Sequence, residues 1–340
     1  MALKTIDKSN MRKIILDFPR QFQIGAKAAQ EVYLEPGKLM RWPENIIICG
    51  MGGSALPGDI LVSLRPLDIF CHKSYGLPPQ AGNESLIICI SYSGDTEETL
   101  SSFNEAVSRN LPLISITTGG ELEKLSKKYK VPCVILPPPL IPPRLALGEM
   151  FAALIQVLVN QNILGPEISD EVLKLGALKS EKFEEEGKKL AKKIYTRIPF
   201  IYVSRRFREI AWIWKNSLNE TAKILAICNY FPELNHNETV GFWKINEMQI
   251  SNAKIYVIIL RDPKDSHPRI LKQMGITKDI IEKEEIEVEF IDMKGKTMLE
   301  KIFSSVILGF WASYWLALEY KVDPTPIKTI EEFKRRLAKD

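Results

Sequence analysis

The sequence predicts two α/β domains in tandem, each built on a doubly wound parallel sheet. Short runs of consecutive apolar residues recur along the chain, and strands that are covered on both faces have this composition. Segments with helical spacing separate the runs, an alternation typical of parallel sheets with right-handed crossovers. The alternation stops at a proline-dense stretch, residues 137–143, and begins again near residue 200.

The first predicted domain covers residues 1–155. Its predicted strands are residues 45–49, 68–72, 85–90, 113–117 and 134–136, and its predicted helices are residues 56–64, 97–109 and 121–130. The proline-dense stretch ends this series because it cannot form a regular element. A strongly apolar helix is predicted to follow it, at residues 147–159.

The second predicted domain covers residues 156–340 and begins with a polar, charged segment. Its predicted strands are residues 200–203, 254–260 and 286–291, and its predicted helices are residues 207–219, 269–274, 303–318 and 330–338. The longest apolar stretch, residues 306–318, is shorter than the ~20 residues that a membrane-spanning helix needs. We therefore expect a buried or subunit-facing helix there and no membrane association.

Composition excludes several classes of function. The chain is 45% hydrophobic and 26% charged, as in ordinary globular proteins. Its 46 basic and 42 acidic residues are dispersed, which does not favour nucleic-acid binding. The N-terminus has no apolar signal region, and the five cysteines lack metal-ligand spacing. These features predict a cytoplasmic protein with reduced thiols and no metal site.

A glycine-rich loop follows the first predicted strand and opens a helix. Gly52, Gly53 and Ser54 would let the backbone approach a ligand, and the helix N-terminus would favour an anion. A nicotinamide fingerprint would instead need Gly-x-Gly-x-x-Gly and an acidic residue about 20 positions later. Here the third glycine is displaced to Gly58, and Asp68 would have to be the acid. Taken alone, this loop does not identify its ligand.

A serine-rich loop after the third predicted strand is more specific. Ser91, Ser93 and Thr96 lie within one turn, together with the backbone N–H groups of Gly94 and Asp95. Such a set could surround an oxyanion without a lysine. Helix capping is the alternative explanation, but a cap needs one such residue. Because ligands of open α/β sheets bind at the carboxyl ends of neighbouring strands, both loops together predict a phosphate site.

Glu220 and His236 are candidates for acid–base chemistry. Glu220 ends a polar helical segment, and His236 stands among polar residues rather than on an apolar face. A carboxylate and an imidazole in such places suit a general base and a proton shuttle. A solvated glutamate at a helix end is the alternative interpretation of Glu220. The other two histidines, His72 and His267, lack comparable surroundings.

The combination of these motifs resembles the sugar isomerase (SIS) domain, and more narrowly the bifunctional phosphoglucose/phosphomannose isomerases of archaeal and some bacterial type. The resemblance spans nearly the whole chain and rests on the glycine loop, the serine loop and residues 117–120, 142–144, 219–223, 236–237 and 323–326. It implies two tandem flavodoxin-like SIS domains with additional C-terminal helices. It also implies a homodimer with shared active sites and no cofactor.

The resemblance also implies roles for individual residues. The phosphate would be held by Gly52, Gly53, Ser54, Ser91, Ser93 and Thr96. Glu220 would be the catalytic base, and Arg144 would stabilise developing negative charge. His236, contributed by the second subunit, would assist ring opening together with Lys334. For the lysine, the helical register chooses among Lys334, Lys328, Arg335 and Arg336.

The implied reaction interconverts glucose 6-phosphate, and mannose 6-phosphate, with fructose 6-phosphate through a cis-enediolate. In the family a threonine near the C-terminal motif is linked with tolerance of both epimers, and an ungapped alignment places Ile327 near that position, between Thr325 and Thr329. A non-catalytic sugar-phosphate sensor is the main alternative. It would need neither Glu220 nor His236. A hexosamine synthase would need an N-terminal glutaminase domain with a nucleophilic cysteine, and residue 2 is alanine.

Overall fold

A computed structural model describes residues 6–35, 37–38, 42–64, 68–138, 141–242, 254–264 and 266–337. The chain forms two compact units. Unit A is Asp17–Leu178, and unit B combines Met1–Leu16 with Lys179–Asp340. This division differs from the predicted boundary at residues 155 and 156. That boundary would cut the helix Leu147–Asn160, which packs against the helices Gln21–Ala29 and Leu56–Leu64 of unit A.

Unit A contains a five-stranded parallel sheet. The first helix of the chain, α1 (Met11–Asp17), precedes it and lies almost wholly in unit B. The strands of unit A are β1 (Asn45–Cys49), β2 (Ile69–His72), β3 (Ser85–Ser91), β4 (Leu113–Thr117) and β5 (Cys133–Ile135), and its helices are α2 (Gln21–Ala29), α3 (Leu56–Leu64), α4 (Glu97–Ser108), α5 (Gly120–Tyr129), α6 (Leu147–Asn160) and α7 (Pro166–Lys174). All five predicted strands are present.

The order of this sheet is β2-β1-β3-β4-β5, with every pair parallel. It is the flavodoxin-like order, in which the switch point for ligand binding lies between the carboxyl ends of β1 and β3. Every residue of β3 is buried, because helices cover both faces of the sheet, as its continuous apolar run predicts. The predicted parallel-sheet α/β class is confirmed.

Unit B contains a four-stranded parallel sheet of order β7-β6-β8-β9. Its helices are α8 (Glu184–Ile194), α9 (Arg208–Ser217), α10 (Pro268–Lys283), α11 (Met298–Glu319) and α12 (Lys328–Leu337), and its strands are β6 (Ile198–Ser204), β7 (Ile227–Phe231), β8 (Ile255–Arg261) and β9 (Glu287–Asp292). The order matches that of unit A without the fifth strand. Strand β7 was not predicted; it is a short edge strand, half-buried over most of its length.

Helix α11 forms much of the core of unit B. It extends over 22 residues, so it is longer than the stretch that the sequence predicted. By length and mean hydropathy it is the one helix among the described residues that could span a membrane, but 89% of its most apolar window is buried within the protein. The Trp311 indole N–H donates to the Ser180 carbonyl at 2.9 Å, and the Trp214 indole to the Ser305 carbonyl at 2.9 Å. These contacts support the predicted buried helix.

Replacing Lys301 of α11 with methionine is expected to destabilise unit B by about 3–5 kcal/mol, because it leaves a buried charge unpaired. The Lys301 ammonium donates to the Asp262 carboxylate at 2.8 Å, and the two side chains are 7% and 2% exposed. Urea unfolding measures the change. Lys294→Met breaks an exposed ion pair with Glu186 and should cost less than about 1 kcal/mol. Equal effects of the two changes would contradict the prediction.

Candidate active site

The glycine and serine loops meet at the switch point of unit A. The glycine loop leaves β1 and forms a 3-10 turn, Gly52–Ser54, and the serine loop leaves the neighbouring strand β3. The backbone N–H of Tyr92 donates to the Ser54 hydroxyl oxygen at 3.0 Å. The structure therefore brings the two predicted loops together through a direct hydrogen bond.

The hydroxyl groups of the serine loop are ordered by bonds within it. The Ser91 hydroxyl donates to Thr96 Oγ1 at 3.0 Å and accepts from the Gly94 N–H at 3.1 Å. The exposed Ser93 hydroxyl accepts from the Asp95 N–H at 3.4 Å. Thr96 is the N-cap residue of α4, but its side chain makes no capping hydrogen bond. Helix capping therefore does not account for this set of hydroxyls.

A third loop, residues 117–120, supports the serine loop from β4. The Thr118 hydroxyl donates to the Tyr92 carbonyl at 2.6 Å, and the Asp95 carboxylate accepts from the Glu121 N–H at 2.9 Å. Gly94 has a φ of +80°, and a Cβ atom there would lie 1.9 Å from the Gly119 carbonyl oxygen. Only glycine fits this left-handed position and close approach. The shape of the serine loop thus depends on Gly94.

Arg144 lies beside the glycine loop. It is buried, 5% exposed, within a 3-10 turn that follows the proline-dense stretch, Pro143–Leu145. A Cβ atom on Gly53 would lie 3.0 Å from the Pro143 carbonyl oxygen and 3.1 Å from the Cα of Arg144. The absence of a side chain at Gly53 therefore permits the arginine turn to pack against the loop. Arg144 and the predicted phosphate-binding residues thus share one edge of the unit A sheet.

Glu220 lies in unit B in a π-helical turn, Leu218–Ala222, that continues α9. Such turns are rare and frequent at functional sites. Lys223 ends the turn in the left-handed conformation, with a φ of 60°. Its ammonium donates to the Glu220 carbonyl, and at 3.4 Å to the Pro324 carbonyl. The Lys223 side chain therefore holds the backbone of the candidate base, Glu220, and links it to the distant residue Pro324.

His236 ends a 3-10 turn, Glu233–His236, that follows β7, and its side chain is exposed. Asn235 fixes the turn, since its Oδ1 accepts from the Thr277 hydroxyl at 2.7 Å. Glu238 holds the other side through hydrogen bonds from the Tyr202 hydroxyl, at 2.5 Å, and from the Asn229 amide. Burial, and then the charge of Glu238, raise the pKa of the Tyr202 hydroxyl well above its usual value. The imidazole is thus presented from a turn fixed on both sides.

Lys334 lies on the exposed helix α12. The Glu332 carboxylate of the same helix pairs with both Arg335 and Arg336. Within the described part of the chain, Lys334 has no ion pair, whereas its two arginine neighbours are both paired with Glu332. This separates it from Arg335 and Arg336 among the four residues that the register left open.

The predicted site residues divide between the two units. Unit A carries the two phosphate-binding loops and Arg144, whereas unit B carries Glu220, His236 and Lys334. Within residues 6–337, apart from the undescribed gaps, no group of three or more metal-ligating side chains occurs. A cavity of about 440 Å³ lies between α8 and β9, and none of the predicted site residues lines it.

Several residues that shape these loops were not predicted from the sequence. Tyr92, Lys223 and Glu238 act through backbone or tertiary contacts that a local motif does not reveal.

Comparison with known proteins identifies the family. The model of the bacterial phospho-glucose isomerase C-terminal SIS domain matches residues 183–337. A bifunctional phosphoglucose/phosphomannose isomerase from Aquifex aeolicus is 36% identical over 307 residues, covering 87% of this chain and 91% of the relative. The chain belongs to the bifunctional phosphoglucose/phosphomannose isomerase family. The resemblance drawn from the motifs is confirmed.

A second member of this isomerase family, from Caldicellulosiruptor bescii, is 34% identical over 310 residues, covering 87% of this chain and 90% of the relative. Among solved structures, the C-terminal domain of glucosamine-fructose-6-phosphate aminotransferase from Francisella tularensis superposes with a TM-score of 0.72. It covers 93% of this chain and 98% of that chain at 15% identity. At this identity the likeness concerns the fold alone.

Proposed function

We propose that this protein interconverts glucose 6-phosphate and mannose 6-phosphate with fructose 6-phosphate. The observation that carries the proposal is the hydrogen-bonded junction of the glycine and serine loops at the switch point of unit A. Membership of the isomerase family supports the reaction class. Both aldoses give the same cis-enediolate because they differ only at C2. An active site with space at C2, or one that lets the C2–C3 bond rotate, could accept either epimer.

The loops are suited to a phosphate because three of their hydroxyl groups accept hydrogen bonds within the loops and keep a proton to donate. Ser54 and Ser93 each accept a backbone N–H, and Thr96 accepts the Ser91 hydroxyl. Each of these three oxygens is therefore an acceptor already and keeps its own proton to donate. Phosphate oxygens are acceptors, so the three hydroxyls match them. Ser91 acts through Thr96, and Gly52 and Gly53 allow the backbone to approach.

Proton transfer is the role of unit B in this mechanism. His236, assisted by Lys334, moves a proton between the ring oxygen and the anomeric hydroxyl, which opens the sugar ring. Glu220 then removes the C2 proton and returns it to C1, because both carbons present the same face of the planar enediolate. In the same isomerisation the C2 hydroxyl loses its proton and the C1 oxygen gains one, so the aldehyde at C1 becomes an alcohol and C2 becomes the ketone. The Arg144 guanidinium stabilises the negative charge that develops on the enediolate oxygens. The sequence of steps needs acid–base groups and no redox partner.

The two units are proposed to be tandem SIS domains. The sheet orders of unit A and unit B support this, since the second repeats the first without its last strand. Unit A has kept the phosphate-binding loops, and unit B supplies the acid–base residues. The five cysteines, all free thiols, support the proposed cytoplasmic location.

A homodimer with shared active sites is also part of the proposal. Three large apolar side chains that lie near the candidate catalytic residues in the sequence are exposed: Trp212 on α9, 49% exposed, Leu225 after the Glu220 turn, 66% exposed, and Val240 after the His236 turn, 67% exposed. A subunit interface that included these side chains would remove their apolar surface from water. Light scattering coupled to gel filtration measures the oligomeric state.

The wild-type protein is expected to produce both glucose 6-phosphate and mannose 6-phosphate from fructose 6-phosphate in the presence of EDTA. The proposed steps use only side chains of this chain, so a chelator should not reduce the rate. Separate coupled assays measure the two products. If glucose 6-phosphate were the only product, the proposed mechanism would stand and the dual specificity would be rejected. Binding of hexose 6-phosphate without turnover would instead indicate a sugar-phosphate sensor.

A further inference from the structure

Glu238 is a half-buried acidic residue to which the proposed mechanism gives no role. It begins the 3-10 turn Glu238–Phe242, two positions after His236. One oxygen of its carboxylate accepts from the Tyr202 hydroxyl at 2.5 Å, and the other oxygen accepts from the Asn229 side-chain amide. Each oxygen is thus bonded to a different strand of the unit B sheet, since Tyr202 lies on β6 and Asn229 on β7.

The two donors occupy paired positions on neighbouring strands. The Cα atoms of Tyr202 and Asn229 are partners in the parallel register of β6 and β7. Side chains at such positions project from the same face of a sheet, and neighbouring strands lie about 4.8 Å apart. One carboxylate placed over the pair can therefore bond both donors at once. We call Glu238, Tyr202 and Asn229 the carboxylate clamp.

The tyrosine of the carboxylate clamp is held rigidly. Strand β6 is paired on both sides, with β7 and with β8, and Tyr202 is 0% exposed. Its ring packs edge-on against Phe231 and Phe242, with ring centroids 6.3 Å and 6.5 Å apart. Burial raises the pKa of its hydroxyl well above the usual value, so at neutral pH the hydroxyl keeps the proton that it donates. The clamp therefore ties Glu238 to a fixed point in the core of unit B.

The backbone on the other side of His236 is fixed by α10. The Asn235 Oδ1 atom accepts from the Thr277 hydroxyl of that helix at 2.7 Å. Between His236 and the clamp, the Asn237 Oδ1 atom accepts from the Glu238 N–H at 2.6 Å. The exposed His236 side chain therefore stands on a backbone segment that is anchored at residues 235 and 238. Loss of the clamp would leave this segment anchored at one end.

Building on the proposed role of His236, we propose that Glu238 is a positioning residue for the opening of the sugar ring. In that step a proton leaves the anomeric hydroxyl and a proton reaches the ring oxygen, while the bond between C1 and the ring oxygen breaks and the open-chain aldehyde forms. The imidazole must lie within hydrogen-bond distance of these oxygens, and a displacement of about 1 Å is costly. Glu238 acts through the backbone of residues 236–238 and does not touch the substrate.

Glu238→Gln is the first test. The glutamine side chain has one acceptor oxygen and one NH₂ group, so it cannot accept from both Tyr202 and Asn229. We expect kcat for isomerisation to fall about tenfold. The KM for fructose 6-phosphate, and the dissociation constant of inorganic phosphate measured by titration calorimetry, should stay within about twofold of the wild type, because the proposed phosphate-binding loops belong to unit A.

The ring-opening step can be measured by itself in a Glu220→Gln chain. This chain lacks the proposed base for the C2 proton but keeps His236, so it should still interconvert the α and β anomers of glucose 6-phosphate. Magnetisation transfer between the two anomeric protons measures the rate by NMR. Adding Glu238→Gln should lower this rate about tenfold, with phosphate binding unchanged. A purely structural role for Glu238 would not slow anomer exchange while it spared phosphate binding.

Tyr202→Phe tests whether the carboxylate clamp acts as a unit. It should lower kcat when made alone, but it should bring no further loss in a chain that already carries Glu238→Ala, because both changes interrupt the same contact. Tyr230→Phe is the matched control, since Tyr230 follows Asn229 on β7 and projects from the other face of the sheet. We expect its kcat to stay within about twofold of the wild type.

Glu233→Gln is the control for the charge. Glu233 lies in the His236 turn, but it is exposed, and its bond from the Asn237 side-chain amide can be kept by a glutamine oxygen. Its kcat should be that of the wild type. A loss equal to that of Glu238→Gln would assign the effect to the charge of the turn, and it would overturn the positioning role.

The remaining outcomes separate this inference from the proposed function. Anomer exchange and kcat that are unchanged by Glu238→Gln, or a dissociation constant for phosphate that rises as much as kcat falls, would overturn the positioning role while the isomerase stands. An active wild type whose Glu220→Gln variant shows no anomer exchange would overturn the role of His236, and this inference with it. A wild-type protein that does not turn over the sugar phosphates would overturn the proposed function itself.

Discussion

Replacing Glu220 with glutamine is expected to lower isomerase turnover by about 10⁴-fold, at the upper end of what one general acid–base group contributes. The proposed carboxylate both removes the C2 proton and returns it to C1, so a single change interrupts two steps. Glutamine has nearly the same shape but cannot accept the proton. Turnover of fructose 6-phosphate measures the loss. Exchange of the C2 hydrogen of glucose 6-phosphate with deuterated water measures the proton transfer directly.

The fold and the affinity for substrate should survive this change. The π-helical turn around Glu220 is held by the Lys223 ammonium through backbone carbonyls, and these bonds do not involve the Glu220 carboxylate. Glu185→Gln is the matched control, because Glu185 is an exposed glutamate in the first turn of α8 in the same unit. Turnover of Glu220→Gln within about tenfold of the wild type would exclude Glu220 as the general base.

The strands could be predicted where the sequence contains an uninterrupted run of apolar residues, because such a run indicates burial on both faces of a sheet. Strands β1, β3 and β8 carry such runs, and their positions were predicted to within about one or two residues. Strand β7 was missed because it is an edge strand. It is half-buried and contains Asn229, so its composition does not differ enough from that of a loop. The sequence also gave no reason to place α1 with unit B, because that grouping depends on contacts remote in sequence.

The parts of the candidate site that lie within one short motif could be predicted from the sequence. The serine loop supplies its hydroxyls and its left-handed glycine within six residues, so its local geometry follows from local sequence. Asn235 is 42 positions from Thr277, whose hydroxyl donates to its side chain, and only the packing of α10 brings the two together. The sequence separation of two residues that meet in this way follows no fixed pattern. They were therefore found only once the fold was known.

Replacing His236 with glutamine is expected to lower turnover by about 10²-fold, because the ring must open before Glu220 can reach the C2 proton. Glutamine can form hydrogen bonds but cannot exchange a proton near neutral pH. The matched control is His267→Gln. The His267 imidazole caps α10 by accepting the Arg269 N–H at 3.1 Å, so its loss should affect stability and leave turnover unchanged. Turnover equally reduced in both variants would deny His236 a specific role.

Mixing the two inactive variants tests whether His236 serves the active site of the second subunit. In a dimer of one Glu220→Gln chain and one His236→Gln chain, a shared arrangement gives one site with both substitutions and one with neither. After subunit exchange between equal amounts of the variants, half of the dimers are hybrids. Turnover should then recover to about a quarter of the wild-type value. If each chain instead used its own His236, every site would carry a substitution, and mixing would restore nothing.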